Sequence, residues 1–291
     1  VRVLFDRTRS VITELNRPPF QYGVPGQNLG SVFFAREGEE VGTFYGTRAA
    51  TSCSDLPTGF NCSEFAKNDD GLLVWVGDGS LADNRWGVES GLTSNGSPVM
   101  WGSVLAGQCD DPDTGERTFT CSVGNSMPDY SLGFSSTLNW GGLSIYGLVD
   151  AVQGFSVYNQ PLQWAIFAET AGLYDQTGPE SEQKPMGYYA QMYGGLGGLL
   201  PSPLFTEDGS CVKLREVAVR YRLNRNQLVS VPGLNRLGGV TLSLTGRNLF
   251  TWTDYRGYDP EVGKASGDTG SAALARVEGF QYPNFRTMTF G

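Results

Sequence analysis

The chain has 291 residues, 40 of them glycine, with 12% aromatic and only 18% charged residues and a formal net charge of −9. That composition suits strands, turns and long loops rather than a soluble α/β enzyme. The negative balance leaves nothing to neutralise phosphates, so it argues against nucleic acid as a partner and reads as a solvated acidic surface.

The absence of histidine removes Ser-His-Asp triads, Cys-His dyads and His-based metal sites together. No stretch reaches the roughly eighteen apolar residues of a transmembrane helix, which leaves open a membrane barrel built of alternating strands.

In chain order, Val1, Val3 and Phe5 oppose Arg2 and Asp6, a loose strand expected within 1–13. These residues already read as mid-strand and no leader precedes them, so the chain is expected to be a fragment of an exported protein. Residues 14–128 read as a long irregular loop. Cys53 and Cys62, and then Cys109 and Cys121, lie close together inside its polar, Gly/Pro/Asp-rich stretches. No CxxC occurs, so zinc is disfavoured, and two loop disulfides formed in an oxidising compartment are expected. Cys211 is then left over as a packed free thiol.

A strand is expected over 129–140, where Tyr130, Leu132, Phe134, Leu138 and Trp140 alternate with Ser131, Ser135, Thr137 and Asn139. The Gly141-Gly142 pair reads as a tight turn. Leu143, Ile145, Val149, Ala151 and Phe155 then share one parity over 143–157, blurred by Tyr146 and Leu148. After a second loop, 159–210, Val217, Val219, Tyr221 and Leu223 oppose Glu216, Arg220 and Arg222 in a strand over 211–223. The clearest strand is 239–252: Val240, Leu242, Leu244, Phe250 and Trp252 on one face, Thr241, Ser243, Thr245 and Arg247 on the other. Aromatics at a strand end are what a membrane interface favours. A third loop, 253–284, precedes a last run over 285–291.

Long and short connections alternate along these six strands. In an up-and-down membrane barrel the long loops face outside and the short turns face the periplasm, an arrangement a soluble sandwich has no reason to adopt. Backbone groups in lipid must all be paired, so six strands imply neighbours supplied from elsewhere. The expected fold class is all-β: the last six or so strands of a large antiparallel transmembrane β-barrel with long extracellular loops, all 291 residues belonging to one domain.

Several segments also resemble a known family in order. They are Leu214-Arg215-Glu216-Val217 through Tyr221-Arg222-Leu223, then Val240–Leu244, Gly246-Arg247-Asn248-Leu249-Phe250-Thr251-Trp252-Thr253, and Gly257-Tyr258-Asp259-Pro260-Glu261-Val262. Tyr282-Pro283 leading to Arg286–Gly291, and earlier Val41–Gly46 and Gly124–Pro128, continue the series. Together they resemble the C-terminal part of the SusC/RagA-type TonB-dependent outer-membrane transporters. The resemblance implies a twenty-two-stranded barrel with an N-terminal plug and a TonB-contacting segment, both absent here. It further implies a SusD-like lipoprotein lid that captures substrate, and uptake of oligosaccharides or peptides driven through TonB, in the bacterial outer membrane. Cys211 stands where the family usually has an aromatic residue.

Trp75, Trp86, Trp101, Tyr188, Tyr189 and Tyr193 lie in the expected outside loops, where they could stack on cargo or pack the loops or the lid contact. Asp110-Asp111-Pro112-Asp113-Thr114-Gly115-Glu116 gathers carboxylates, but without the twelve-residue calcium-loop register it reads as a solvated turn. In Asp259-Pro260-Glu261 the proline restricts Asp259 to an extended conformation, which suits a structural loop anchor. A Glu180–Glu182 glycosidase pair would need a defined separation and a cleft, neither of which the sequence shows. Gly194–Gly198 has no following Lys-Ser/Thr and is not a phosphate loop.

The expected function is therefore that of a barrel segment of a nutrient importer. It has no catalytic residues, metal or cofactor, and its partners are membrane lipids, the lid, TonB through the missing part, and a glycan or peptide cargo. The alternative is a secreted or surface β-rich carbohydrate-binding or adhesin module without transport.

Overall fold

A computed structural model of the chain describes residues 1–22, 33–83, 85, 87–172, 177–179, 203–229, 232–261, 276–280 and 282–291. Its frame is a six-stranded sheet of β1 (Arg2–Asp6), β2 (Tyr130–Trp140), β3 (Leu143–Gln153), β4 (Cys211–Asn224), β5 (Gly239–Thr253) and β6 (Thr287–Phe290), in which sequence neighbours are also spatial neighbours. Every pair is antiparallel.

Register carries the alternation across the sheet. Val3 faces Phe134, Phe134 faces Val149, Val149 faces Leu214, and Leu214 faces Phe250. Nearer the short turns, Leu138, Ile145, Val219, Leu244 and Phe290 form another cross-strand row. Opposed residues in a sheet share a face, so the apolar residues make one continuous surface. That surface is open: Trp140 is 79% exposed, Trp252 55% and Phe290 80%. The other face carries Ser135, Thr137, Ser144, Arg220, Ser243, Thr245 and Arg247. Tyr146 and Leu148, which blur the pattern of β3, lie on this polar face opposite Ala218 and Glu216.

The β2–β3 turn is Gly141-Gly142. Gly141 has φ of 58°, and a Cβ at Gly142 would come within 2.6 Å of the Arg222 carbonyl oxygen, which accepts no such crowding. This turn and the link from β4 to β5, which contains the short helix α1 (Arg225–Leu228), leave from one end of the sheet. The connections β1–β2, β3–β4 and β5–β6 all leave from the opposite end.

Three expectations are corrected. The opening strand stops at Asp6, because residues 10–12 bond instead to the loop at 38–41: Ile12 N–H donates to Glu39 and Val41 N–H to Ser10. Strand β3 stops at Gln153, since Gly154 turns the chain at φ 74°. Phe155 therefore leaves the apolar face and is buried with Val157 and Tyr255, under the Arg276 guanidinium 4.2 Å from its ring. The irregular loop 14–128 is a folded body. Its Cys121–Asn125, Thr43–Gly46, Phe33–Ala35 and Phe20–Tyr22 segments form a four-stranded sheet in that order. Phe33, Phe44, Val74, Val99 and Leu105 fill its interior, joined by Tyr158 and Phe205 from the second long connection and Val277 from the third.

Among the described residues the largest hydrophobic core thus lies outside the six-stranded sheet, and all three long connections contribute to it. A second small sheet ties them together. Ser156–Asn159 pairs antiparallel with Thr206–Asp208 and parallel with Val277–Glu278. The helix Gln160–Phe167 follows at once, with Asn159 Oδ1 accepting from the Leu162 N–H at 3.0 Å and Pro161 in the first turn.

If the apolar face meets lipid, a charge placed mid-strand on it is costly and the same charge one residue on is not. In full-length protein refolded into lipid vesicles, Leu244→Arg is expected to lose about 2–4 kcal/mol in urea titration. Thr245→Arg, on the polar face, should stay close to wild type.

Candidate functional site: the loop-covered end of the wall

At the end where the long connections leave, loops cover the polar face of the wall, and the ionic groups there are buried. Cys211 and Lys213 of β4 are 2% and 4% exposed, whereas Arg220 and Arg222 further along the same strand are exposed.

The centre of this covered region is a five-member charge network. A bulge in β4 starts it: Glu216 faces Leu148 but Leu214 faces Val149, so Arg215 is an extra residue with no counterpart. β5 bends at the same level, where Asn248 adopts φ of 51° and its amide donates to the Phe285 carbonyl at 3.1 Å. The bulge aims Arg215 to the polar side. There it donates to Asp150 at 2.9 Å and, bidentately, to Glu261, with the Nη1–Oε2 contact at 2.7 Å. Lys213 ion-pairs with Asp259 and, at 2.8 Å, with Glu261.

Asp259-Pro260-Glu261 thus clamps the third long connection onto the wall. The Asp259 carboxylate also accepts the Glu261 N–H at 3.0 Å, and Arg276 donates to the Pro260 carbonyl at 3.1 Å. Burial raises the Glu261 pKa, but hydrogen bonds and charge from Arg215 and Lys213 outweigh it and hold the carboxyl below its usual range. Beside the network, burial is the main reason the Glu278 pKa is raised; its carboxyl takes the Tyr255 hydroxyl hydrogen bond, which works the other way.

The structure places the loop aromatics unevenly. Trp75 is 8% exposed and Trp101 2%, both inside the loop core, and Trp75 Nε1 donates to Glu64 at 3.0 Å. These two pack the loop and do not offer a ring face to cargo. Trp86, Tyr188, Tyr189 and Tyr193 lie outside the described residues, as do Glu180, Glu182 and Gly194–Gly198. Cys53 is bonded to Cys62 and Cys109 to Cys121, with Cα–Cα distances of 5.8 and 5.9 Å, and Cys211 is a buried free thiol. The Asp110–Glu116 segment is a hairpin turn closed by Asp111, whose carboxylate accepts the N–H groups of Asp113 and Thr114. Arg36 reaches Asp113 at 2.9 Å and lies over the Phe34 and Tyr45 rings, joining this hairpin to the loop body.

Sequence reasoning found Asp259-Pro260-Glu261 but not its counterparts. Lys213 and Arg215 had a readable signal, two cations on either side of Leu214 near the start of β4. Asp150, alone among apolar residues of β3, had the same.

No protein-family model matches the chain. Among curated proteins, it is 31% identical over 178 residues to TonB-dependent receptor P26 of Formosa agariphila, covering 58% of this chain and 17% of that protein. It is 25% identical over 260 residues to TonB-dependent receptor P3 of the same organism, covering 88% of this chain and 22% of that one. The chain spans about a fifth of the length of these relatives. Among solved structures, the RagAB peptide importer in its open-open state aligns with 99% of this chain and 25% of its own, at 20% identity and a TM-score of 0.50. The closed-closed state gives 99%, 26%, 19% and 0.51. These structural matches concern the fold.

An antiparallel wall, apolar on one face and ionic on the other, with its long connections gathered at one end, defines an outer-membrane-type β-barrel segment. By sequence the chain is similar to parts of TonB-dependent receptors, and in fold to about a quarter of the RagAB importer chain.

The clamp makes two testable demands. Removing one partner of a buried ion pair costs about 3–5 kcal/mol, so Lys213→Met is expected to free the 254–261 segment for protease cleavage while β2–β5 stay protected. The depressed Glu261 pKa gives a stabilisation that is complete above the ordinary carboxylate value of 4.5 and is lost as pH falls through the lower folded value. Hydrogen-exchange protection of 254–261, corrected for intrinsic rates, should be flat from neutral pH to about 5 and fall below that.

Proposed function

We propose that the chain contributes wall, lumen lining and outer recognition surface to a TonB-dependent outer-membrane importer of oligosaccharides or peptides. All of residues 1–291 belong to one barrel domain. The six strands span the membrane, and the connections within 14–128, 159–210 and 253–284 lie on the extracellular side. A SusD-like lipoprotein captures cargo above them.

The observation that carries this reading is the inverted wall: its apolar face is open, and its polar face is covered by loops at the end where the long connections leave. In water, the row from Trp140 to Phe290 would be an apolar patch far beyond what soluble monomers expose. Against lipid it is the required surface, with Phe5, Tyr130, Phe250 and Trp252 at the level where aromatic side chains favour the interface. The Phe5–Tyr130 and Phe250–Trp252 rings stack at 6.2 and 5.9 Å between centroids. The same observation weighs against a water-soluble adhesin or glycan-binding module, which has no use for an open apolar sheet. The relatives are named as receptors, and transport, not catalysis, is the reading extended to this chain.

In its native host the full-length protein should fractionate with the outer membrane, need detergent for extraction, and migrate faster in unheated than in boiled SDS samples. Cargo uptake should stop when TonB is deleted. Recovery as a detergent-free periplasmic monomer would sink the proposal.

A further inference from the structure

Between the helix Gln160–Phe167 and the turn at 256–258 lies a cleft of about 480 Å³, within the usual range for small-molecule sites. Pro161, Leu162 and Ala165 of the helix form one wall, Tyr258 stands on the other, and Asn159 and Glu278 lie at the base. The cleft is separate from the Lys213–Glu261 clamp, but Tyr258 adjoins the clamp residue Asp259.

Its base is fixed in advance. Asn159 is held at both ends of its amide, accepting from the Leu162 N–H at 3.0 Å and donating to Glu207 at 2.9 Å. Glu278, fully buried, accepts from the Tyr255 hydroxyl and from the Tyr258 N–H at 3.3 Å. A Cβ at Gly257 would come within 2.1 Å of the Glu278 carboxylate, so the turn carrying Tyr258 is pressed against the base. The Tyr258 ring itself is 69% exposed. An exposed aromatic residue on a braced turn, lining one cleft together with a small aliphatic wall, makes a slot for a flat, partly apolar group.

Charge narrows the occupant. Arg256 at the rim is paired with Glu207 at 3.2 Å, and the Glu278 carboxylate is engaged by two donors. Neither an anionic nor a cationic ligand would find an unmatched charge here. A pyranose ring without charge meets the conditions: its C–H face would stack on Tyr258 and its hydroxyls would bond to Thr170 and Arg256, which also line the cleft.

We propose that this cleft is a subsite for one uncharged pyranose ring of an oligosaccharide cargo, stacked on Tyr258. The proposal rests on the importer reading and narrows its cargo to neutral glycans.

The test uses full-length protein in detergent. It is titrated calorimetrically with neutral gluco-, xylo-, manno- and galacto-oligosaccharides, and in parallel with uronate oligomers and short peptides. At least one neutral series should bind. Tyr258→Ala should weaken it about tenfold, the loss of one stacking contact, while Tyr258→Phe should keep nearly full affinity. Ala165→Trp, which fills the slot, should abolish binding, with the heat-dependent gel shift confirming that each variant is folded. Binding of uronates or peptides alone, no binding of any neutral glycan, or affinity indifferent to Tyr258→Ala would each overturn the subsite. TonB-dependent uptake of a peptide or an acidic glycan would leave the importer reading standing and the subsite refuted, whereas loss of outer-membrane residence would remove the importer reading itself.

Discussion

Lys213 carries a positive charge into a place 5% open to solvent at its side chain, and the arrangement of the covered end follows from making that tolerable. An isolated ammonium there would be untenable. It is held by Asp259 and Glu261, and Glu261 is shared with Arg215, which in turn holds Asp150. Each carboxylate has a cation and each cation at least one carboxylate. Such a network contributes less net stability than its number of contacts suggests, because every member has been taken out of water. Its strength lies in specificity. Only one placement of the 259–261 segment satisfies both cations, and that placement fixes the height and direction of the third long connection.

The wall and the loops solve opposite solvation problems. In β2 to β5 the apolar side chains face outward, so these strands have no hydrophobic core of their own. Their cohesion comes from backbone ladders, satisfied strand by strand as lipid requires. The loop body is built the usual way, with Phe33, Phe44, Val74 and Tyr158 fully buried and two disulfides at its periphery. The polar face of the wall lies between the two regimes. It accepts the loops through ions and hydrogen bonds, where an apolar contact would have left its serines, threonines and arginines unpaired.

This division decides what was legible in the sequence. Period-two alternation in β2 and β5 is long, broken only at Ser136 and at Gly246 and Asn248, so wall, faces and loop sorting could all be read from it. Tyr146 and Leu148 obscured β3 because they are large side chains on the polar face, where they lie opposite Ala218 and Glu216. The loop body was opaque for a different reason. Its strands run from two to six residues, too short for a period to register, and its core draws on residues as distant as Phe33 and Val277. Trp75 and Trp101 could stack on cargo or pack a core, and only tertiary burial separates the two. Phe155 followed the right parity and still left the face, because Gly154 ended the strand first. The helix at 160–167 had both an Asn cap and a first-turn proline, a local signal readable without any tertiary knowledge.

The clamp and the cleft share a short stretch of chain, and this has a mechanical consequence. Tyr258 immediately precedes Asp259, and the Tyr258 N–H is bonded to Glu278, whose own strand pairs with Ser156–Asn159 beside the helix wall. The backbone that carries Tyr258 is therefore held from two sides: at Asp259 by ions on the wall, and through Glu278 by the loop sheet. A displacement of the wall relative to the loops would shift Asp259 and Glu278 by different amounts. The backbone at Tyr258 lies between them and would take up the difference.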